Sequence, residues 1–112
     1  MKFLIVSKMK DTFVTLPTPA KLQILQTTLA SVQNLMAAGK ILAFYYSPSG
    51  YNVSIIEYKT VEAWTADQHS LPIIWYSDHE VYPLTDGIPV TETIIENLKT
   101  AETMAHGLPR QP

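Results

Sequence analysis

The sequence predicts an α+β domain whose elements follow one another as β-α-β-β-α-β, with one more helix at the C-terminal end. Three observations predict it. Short runs rich in β-branched and aromatic residues alternate with stretches of helical period. Between them stand the residues that turns and helix ends require: Gly39, Ser47-Pro48-Ser49-Gly50, Leu71-Pro72 and Asp86-Gly87. The length, 112 residues, suits one hydrophobic core rather than two.

Each element has a local cause. Residues 2–10 (KFLIVSKMK) form an apolar, partly β-branched run and read as a first strand, followed by a loop over 11–18. Thr18-Pro19 supplies an N-cap and a proline at the first helical position, and Gly39 supplies the stop. Between them Leu22, Leu25, Leu29, Val32, Leu35 and Met36 recur at spacings of three and four, marking one helical face. Residues 41–46 (ILAFYY) and 52–58 (NVSIIEY) make two strands joined by a hairpin. Thr60 caps a second helix with Glu62 in its first turn, and Leu71-Pro72 ends it. Ile73 to Ser77 is expected to be an irregular link, and Asp78 to Leu84 a short last strand with Pro83 at an edge or end. Thr91 to His106 reads as a third helix with a narrow stripe of Ile94, Leu98, Ala101 and Ala105, ended by Gly107. The tail LPRQP is expected to be loose. The order is that of the ferredoxin-like split βαβ arrangement, with residues 1–87 as the sheet domain and 88–112 as a helix and tail appended to it.

Composition limits the function classes. Hydrophobic residues make up 46% and charged residues 16%, below the typical ~25%, so much of the surface needs cover. A net charge of −2 with scattered lysines gives no footprint for nucleic acid. No apolar run reaches the ~20 residues that cross a bilayer. The N-terminal run lacks the apolar core and cleavage site of a signal peptide, so a cytoplasmic protein is expected. There is no cysteine, hence no disulfide and no thiolate. With no glycine-rich phosphate loop, zinc motif or Ser-His-Asp arrangement, no cofactor is expected.

Alternation along the strands predicts two apolar sheet faces. Phe3 and Ile5 oppose Leu4 and Val6; Ile41 and Tyr45 oppose Leu42, Phe44 and Tyr46; Ile56 and Tyr58 oppose Val53 and Ile55. The two crossover helices cover one face. A second copy, in a two-fold dimer or higher oligomer, is the expected cover of the other.

From Asn52 onward the chain resembles the muconolactone isomerase family, small ferredoxin-like proteins that form α+β barrel dimers. The resemblance rests on Asn52 and Ser54, Val61-Glu62-Ala63, Leu71-Pro72, Tyr76, Asp78, Glu80-Val81 and Leu84, which fit the family pattern without a gap over residues 52–84. It implies an isomerase that moves a double bond within an unsaturated lactone, using a base and donors to an enolate oxygen. Asn52 and Ser54 match positions in or near the family's pocket, and Tyr51 stands near a hairpin tyrosine of the family. The chain departs from the pattern elsewhere. The family's first-helix acid falls at Thr28, no Asp or Glu lies between Thr12 and Asn52, and Phe44-Tyr45-Tyr46 stand where the family's second strand carries arginine.

Other side chains each have a plain structural alternative. Tyr45, Tyr46, Tyr58, Trp64, Trp75 and Tyr76 suit an aromatic ligand pocket or ordinary core and interface packing. Of these, Tyr45 and Tyr76 join Asn52, Ser54 and Tyr51 as the candidate substrate-binding set. His69, at a helix end, suits a replacement base or a partner of the helix dipole. His79 alternates with Asp78 and Glu80, whose solvated or interface role outweighs a metal site because no metal spacing is present. Glu57 faces away from Asn52 and Ser54. The sequence therefore points to a small, lactone-like, carbonyl-bearing ligand. Its functional readings are a divergent isomerase, a non-catalytic binding or assembly module, and a purely structural oligomer, which would have no pocket of ligand size.

Overall fold

The computed structural model describes residues 1–107; the tail expected to be loose lies outside the described residues. Four strands, β1 (Lys2–Met9), β2 (Ile41–Tyr46), β3 (Tyr51–Glu57) and β4 (Ser77–Leu84), form one sheet in the order β2-β3-β1-β4. Every neighbouring pair is antiparallel. The helices are α1 (Asp11–Val14), α2 (Thr18–Ala37), α3 (Val61–Gln68) and α4 (Gly87–Gly107), with a 3-10 turn over Pro72–Tyr76. This is the ferredoxin-like α+β plan with an added C-terminal helix.

The core lies between one sheet face and the helices. Phe3 and Ile5 of β1, Ile41 of β2 and Ile56 of β3 pack with Val32 of α2, Trp64 of α3, Tyr58 and Leu71. Ile56 is fully buried at the centre. Gly39 ends α2 at φ +72°, a left-handed conformation that costs a residue without a Cβ least. Thr60 caps α3 as expected, its Oγ1 accepting the Ala63 amide at 3.1 Å.

Several local expectations are corrected. Asp11–Val14 coil into a helical turn instead of a loop, because Phe13 buries its ring edge-on to Tyr76 at 6.1 Å. Pro17, not Thr18, occupies the N-cap of α2, and no side chain caps that end. The expected irregular link before the last strand is the 3-10 turn, which starts at Pro72. The apolar stripe of α2 is only partly buried: Val32 is inside, while Leu22, Leu25 and Leu29 remain 55%, 45% and 57% exposed. Gly87 opens α4 rather than closing a turn, and every residue from Gly87 to His106 is exposed.

The correction with most consequence lies in β2. Ile41 pairs with Ile56 and Ala43 with Ile55, so Leu42 is an extra residue in the ladder, a β-bulge. Beyond it the alternation is shifted. Phe44 and Tyr46 now share the helix side with Ile41, and Tyr45 turns to the other side, paired with Val53. That other face carries Leu4, Val6, Val53 and Ile55 with Tyr45, Tyr51 and Tyr82, and among the described residues no helix packs extensively on it.

Candidate functional site

A cavity of about 330 Å³ opens between the helix side of the sheet and α2 with the 3-10 turn. Most of its wall is apolar, from Leu25, Leu29, Phe44, Ile73 and Ile74 among others. Partial exposure of Leu25, Leu29, Phe44 and Tyr46 marks the mouth, since these large side chains are held at the edge of the core rather than within it.

The polar part of the wall comes from strand register. Tyr46 pairs with Asn52, Asn52 with Ser7, and Ser7 with His79, so one row across all four strands puts these side chains on the cavity face. With strands about 4.8 Å apart, the row spans about 14 Å. Ser54 lies on the same face two residues along β3 from Asn52. His79 Nδ1 and Ser7 Oγ are 3.4 Å apart, and the tautomer decides which of them donates. Burial holds the half-buried His79 imidazole below its ordinary value of 6.5; Asp78 opposes that shift and Lys10 adds to it. The ring is therefore neutral at neutral pH.

Two further polar liners are occupied with structure. Thr28 Oγ1 accepts the Ile73 amide at 3.3 Å, and Ser77 Oγ donates to the Ile73 carbonyl at 2.9 Å. Together they pin the 3-10 turn against α2 and β4 and fix one wall. Thr28 stands where the resemblance places an acid, and here it is a wall anchor. Trp64 also lines the cavity, with its indole N–H buried and, among the described residues, without an acceptor.

The candidate substrate-binding residues are thus divided. Asn52 and Ser54 line the cavity; Tyr45, Tyr51 and Tyr76 do not. The bulge carries Tyr45 to the open face, where it is 69% exposed. Tyr51 lies opposite Lys8 on the same open face, with the Lys8 ammonium 5.3 Å from its ring. Tyr76 is spent on Phe13. His69 caps the C-terminal end of α3 beside Trp75, away from the cavity wall. On the open face Asp78 pairs with Lys10 at 3.6 Å and Glu80 accepts the Tyr82 hydroxyl.

Ser7 was not legible as a site residue until β1 was paired with β3 and β4. Its signal in the sequence is a polar residue in phase with Phe3 and Ile5 on an apolar strand. Tyr46 is among the aromatics that the sequence offers for a pocket, and the bulge decides that it, rather than Tyr45, faces the cavity. Among the described residues, His79 and Tyr46 are the lining residues with a group that can exchange a proton at a nitrogen or phenol, and no lysine, arginine, aspartate or glutamate reaches the wall.

No protein-family model matches the chain, and no curated protein matches it in sequence. Among solved structures, muconolactone isomerase is similar over 77% of this chain and 90% of its own, with a TM-score of 0.65 and 23% identity. A protein from Agrobacterium tumefaciens is similar over 78% of this chain and 96% of its own, with a TM-score of 0.43 and 14% identity. The first likeness shows that this chain has the muconolactone isomerase fold, as the resemblance in residues 52–84 implies.

Proposed function

We propose that the cavity binds a small, largely apolar carbonyl compound of the lactone class, whose carbonyl oxygen accepts hydrogen bonds from Asn52 and Ser54. The observation that supports this reading is the placement of that amide and hydroxyl on one strand face of an otherwise apolar cavity about 330 Å³ in volume. Such a site suits a ligand with one or two acceptors on a compact apolar frame. Copies of the chain pair through the open sheet face. That face is apolar at its centre and carries both Lys2 and Lys8 and, opposite in sign, Glu57 and Glu80, so a two-fold copy meets its own complement.

The test is titration with α-angelica lactone, an uncharged five-carbon lactone, followed by the fluorescence of Trp64. The Trp75→Phe background is used because Trp75 is exposed and masks the signal. Saturable quenching is the expected result. The double variant Asn52→Ala, Ser54→Ala loses about 1–3 kcal/mol of binding, roughly 5- to 150-fold in affinity, while its circular dichroism is unchanged. No saturation at millimolar lactone, or equal affinity in the double variant, rejects this reading.

A further inference from the structure

We propose that His79, held in place by Ser7, is the catalytic base of this cavity, and that it moves a proton within an uncharged unsaturated lactone. The inference rests on the carbonyl-binding reading above and adds the chemistry to it.

Geometry carries it. His79 and Asn52 are two strands apart in one cross-strand row, so their Cα atoms are about 10 Å apart with Ser7 between them. Side chains of amide and imidazole length reach inward from both ends of that span. A small ring lodged between them offers its carbonyl oxygen to Asn52 and the adjacent carbon to His79. With Nδ1 engaged by the Ser7 hydroxyl at 3.4 Å, Nε2 is the nitrogen left to the ligand. When Nδ1 carries the proton, Ser7 Oγ accepts it and Nε2 holds the free lone pair.

Elimination points to the same residue. Tyr46 offers a phenol rather than a basic nitrogen, and among the described residues no carboxylate reaches the wall. Thr28 has no basic group and is tied to the Ile73 amide. The charged groups around His79 act from outside: Asp78 on its own strand raises its proton affinity, and Lys10 lowers it.

The step balances without a co-reactant. Nε2 takes a proton from the carbon next to the carbonyl of a β,γ-unsaturated lactone. The C–H electron pair enters the conjugated dienolate, whose oxygen accepts from Asn52 and Ser54. The imidazolium then gives the proton to the γ-carbon, the carbonyl reforms, and the double bond has moved into conjugation. Among the described residues no cationic side chain reaches the wall, and this sets the substrate class. A carboxylate-bearing lactone would be desolvated here with no counter-charge, whereas an uncharged one would not.

The experiment follows α-angelica lactone in D2O by proton NMR, reading both loss of the C3 protons and formation of the conjugated isomer, against buffer alone. Wild-type protein is expected to accelerate both. His79→Gln is expected to slow them about 10²- to 10⁴-fold while still quenching Trp64 fluorescence on lactone binding. Wild-type rate should fall as His79 is protonated, with an apparent pKa below 6.5. Ser7→Ala should displace that pKa and lower kcat with little change in KM, which a merely structural role for Ser7 would not do. Binding without exchange in the wild type, or a His79→Gln rate within threefold of it, overturns His79 as base and leaves the carbonyl-binding reading standing. No binding at all removes both. Muconolactone, the carboxylate-bearing probe, enters as the conjugated isomer, so its deuterium exchange at the γ-carbon is compared with that of the conjugated angelica lactone; slower exchange of muconolactone is expected, and faster exchange contradicts the substrate class.

Discussion

Asp67 ties three segments together with one carboxylate. It accepts the Tyr58 hydroxyl at 2.8 Å and the Lys40 ammonium at 2.9 Å, joining α3 to the residues that flank β2 and β3. Lys40 first, and Tyr58 second, hold its carboxyl below the ordinary value of 3.8. Burial, with Asp67 adding to it, pushes the Tyr58 phenol well above its usual range. A depressed folded-state carboxyl contributes stability at pH values above its unfolded value, and that stability is lost as pH falls through the lower folded value. Asp67→Ala is expected to cost about 1–3 kcal/mol in urea unfolding at neutral pH, because the buried Tyr58 hydroxyl loses its acceptor. The acid limb of the stability curve should flatten in the same variant. A cost below about 0.5 kcal/mol would show that water replaces the carboxylate freely. None of this network was legible in the sequence, since nothing local links a lysine after Gly39 to a tyrosine after β3.

At the level of elements, what the sequence makes legible is what local chemistry decides. Gly39, the Ser47–Gly50 turn, Thr60 and Pro72 are punctuation that acts within a few residues, and the element order followed from them. The cap at Thr60 is testable: Thr60→Ala should cost about 0.5–2 kcal/mol in thermal or urea unfolding, and no measurable cost would show that α3 is held by Trp64 alone. Features that depend on a partner were not legible. The bulge at Leu42 exists only relative to β3, and it exchanged Tyr45 for Tyr46 on the cavity side. The apposition of Ser7 and His79 spans 72 residues of sequence and needs the β1–β4 register. Asn52 and Ser54 are legible in the sequence because a two-residue spacing on one strand keeps its face whatever the partner. The α2 stripe was correctly placed in sequence, but its N-terminal half borders the cavity mouth instead of filling the core.

At the scale of the whole molecule, one side is sealed by helices and the other is bare. The single chain is 74 Å along its longest axis because α4, about 31 Å long, stands off from the sheet. Ile88, Ile94, Ile95 and Leu98 of α4 are exposed along it, so the helix does not cover the open sheet face of its own chain. Among the described residues, no helix is long and apolar enough to cross a membrane. A second copy on the open face should register as a dimer in sedimentation velocity. Val53→Glu, which buries a carboxylate at the centre of that face, should shift it to monomer. A wild-type monomer, or a variant that stays dimeric, would place any interface elsewhere. The central claim, that the ligand sits on the helix side of the sheet, is tested most directly by amide chemical-shift mapping with α-angelica lactone. The expected result is saturable perturbation of Ser7, Asn52, Ser54 and His79, with Lys8, Tyr45 and Val53 near their free positions. Perturbation centred on Tyr45, Tyr51 and Val53 instead would move the binding site to the open face and contradict the account.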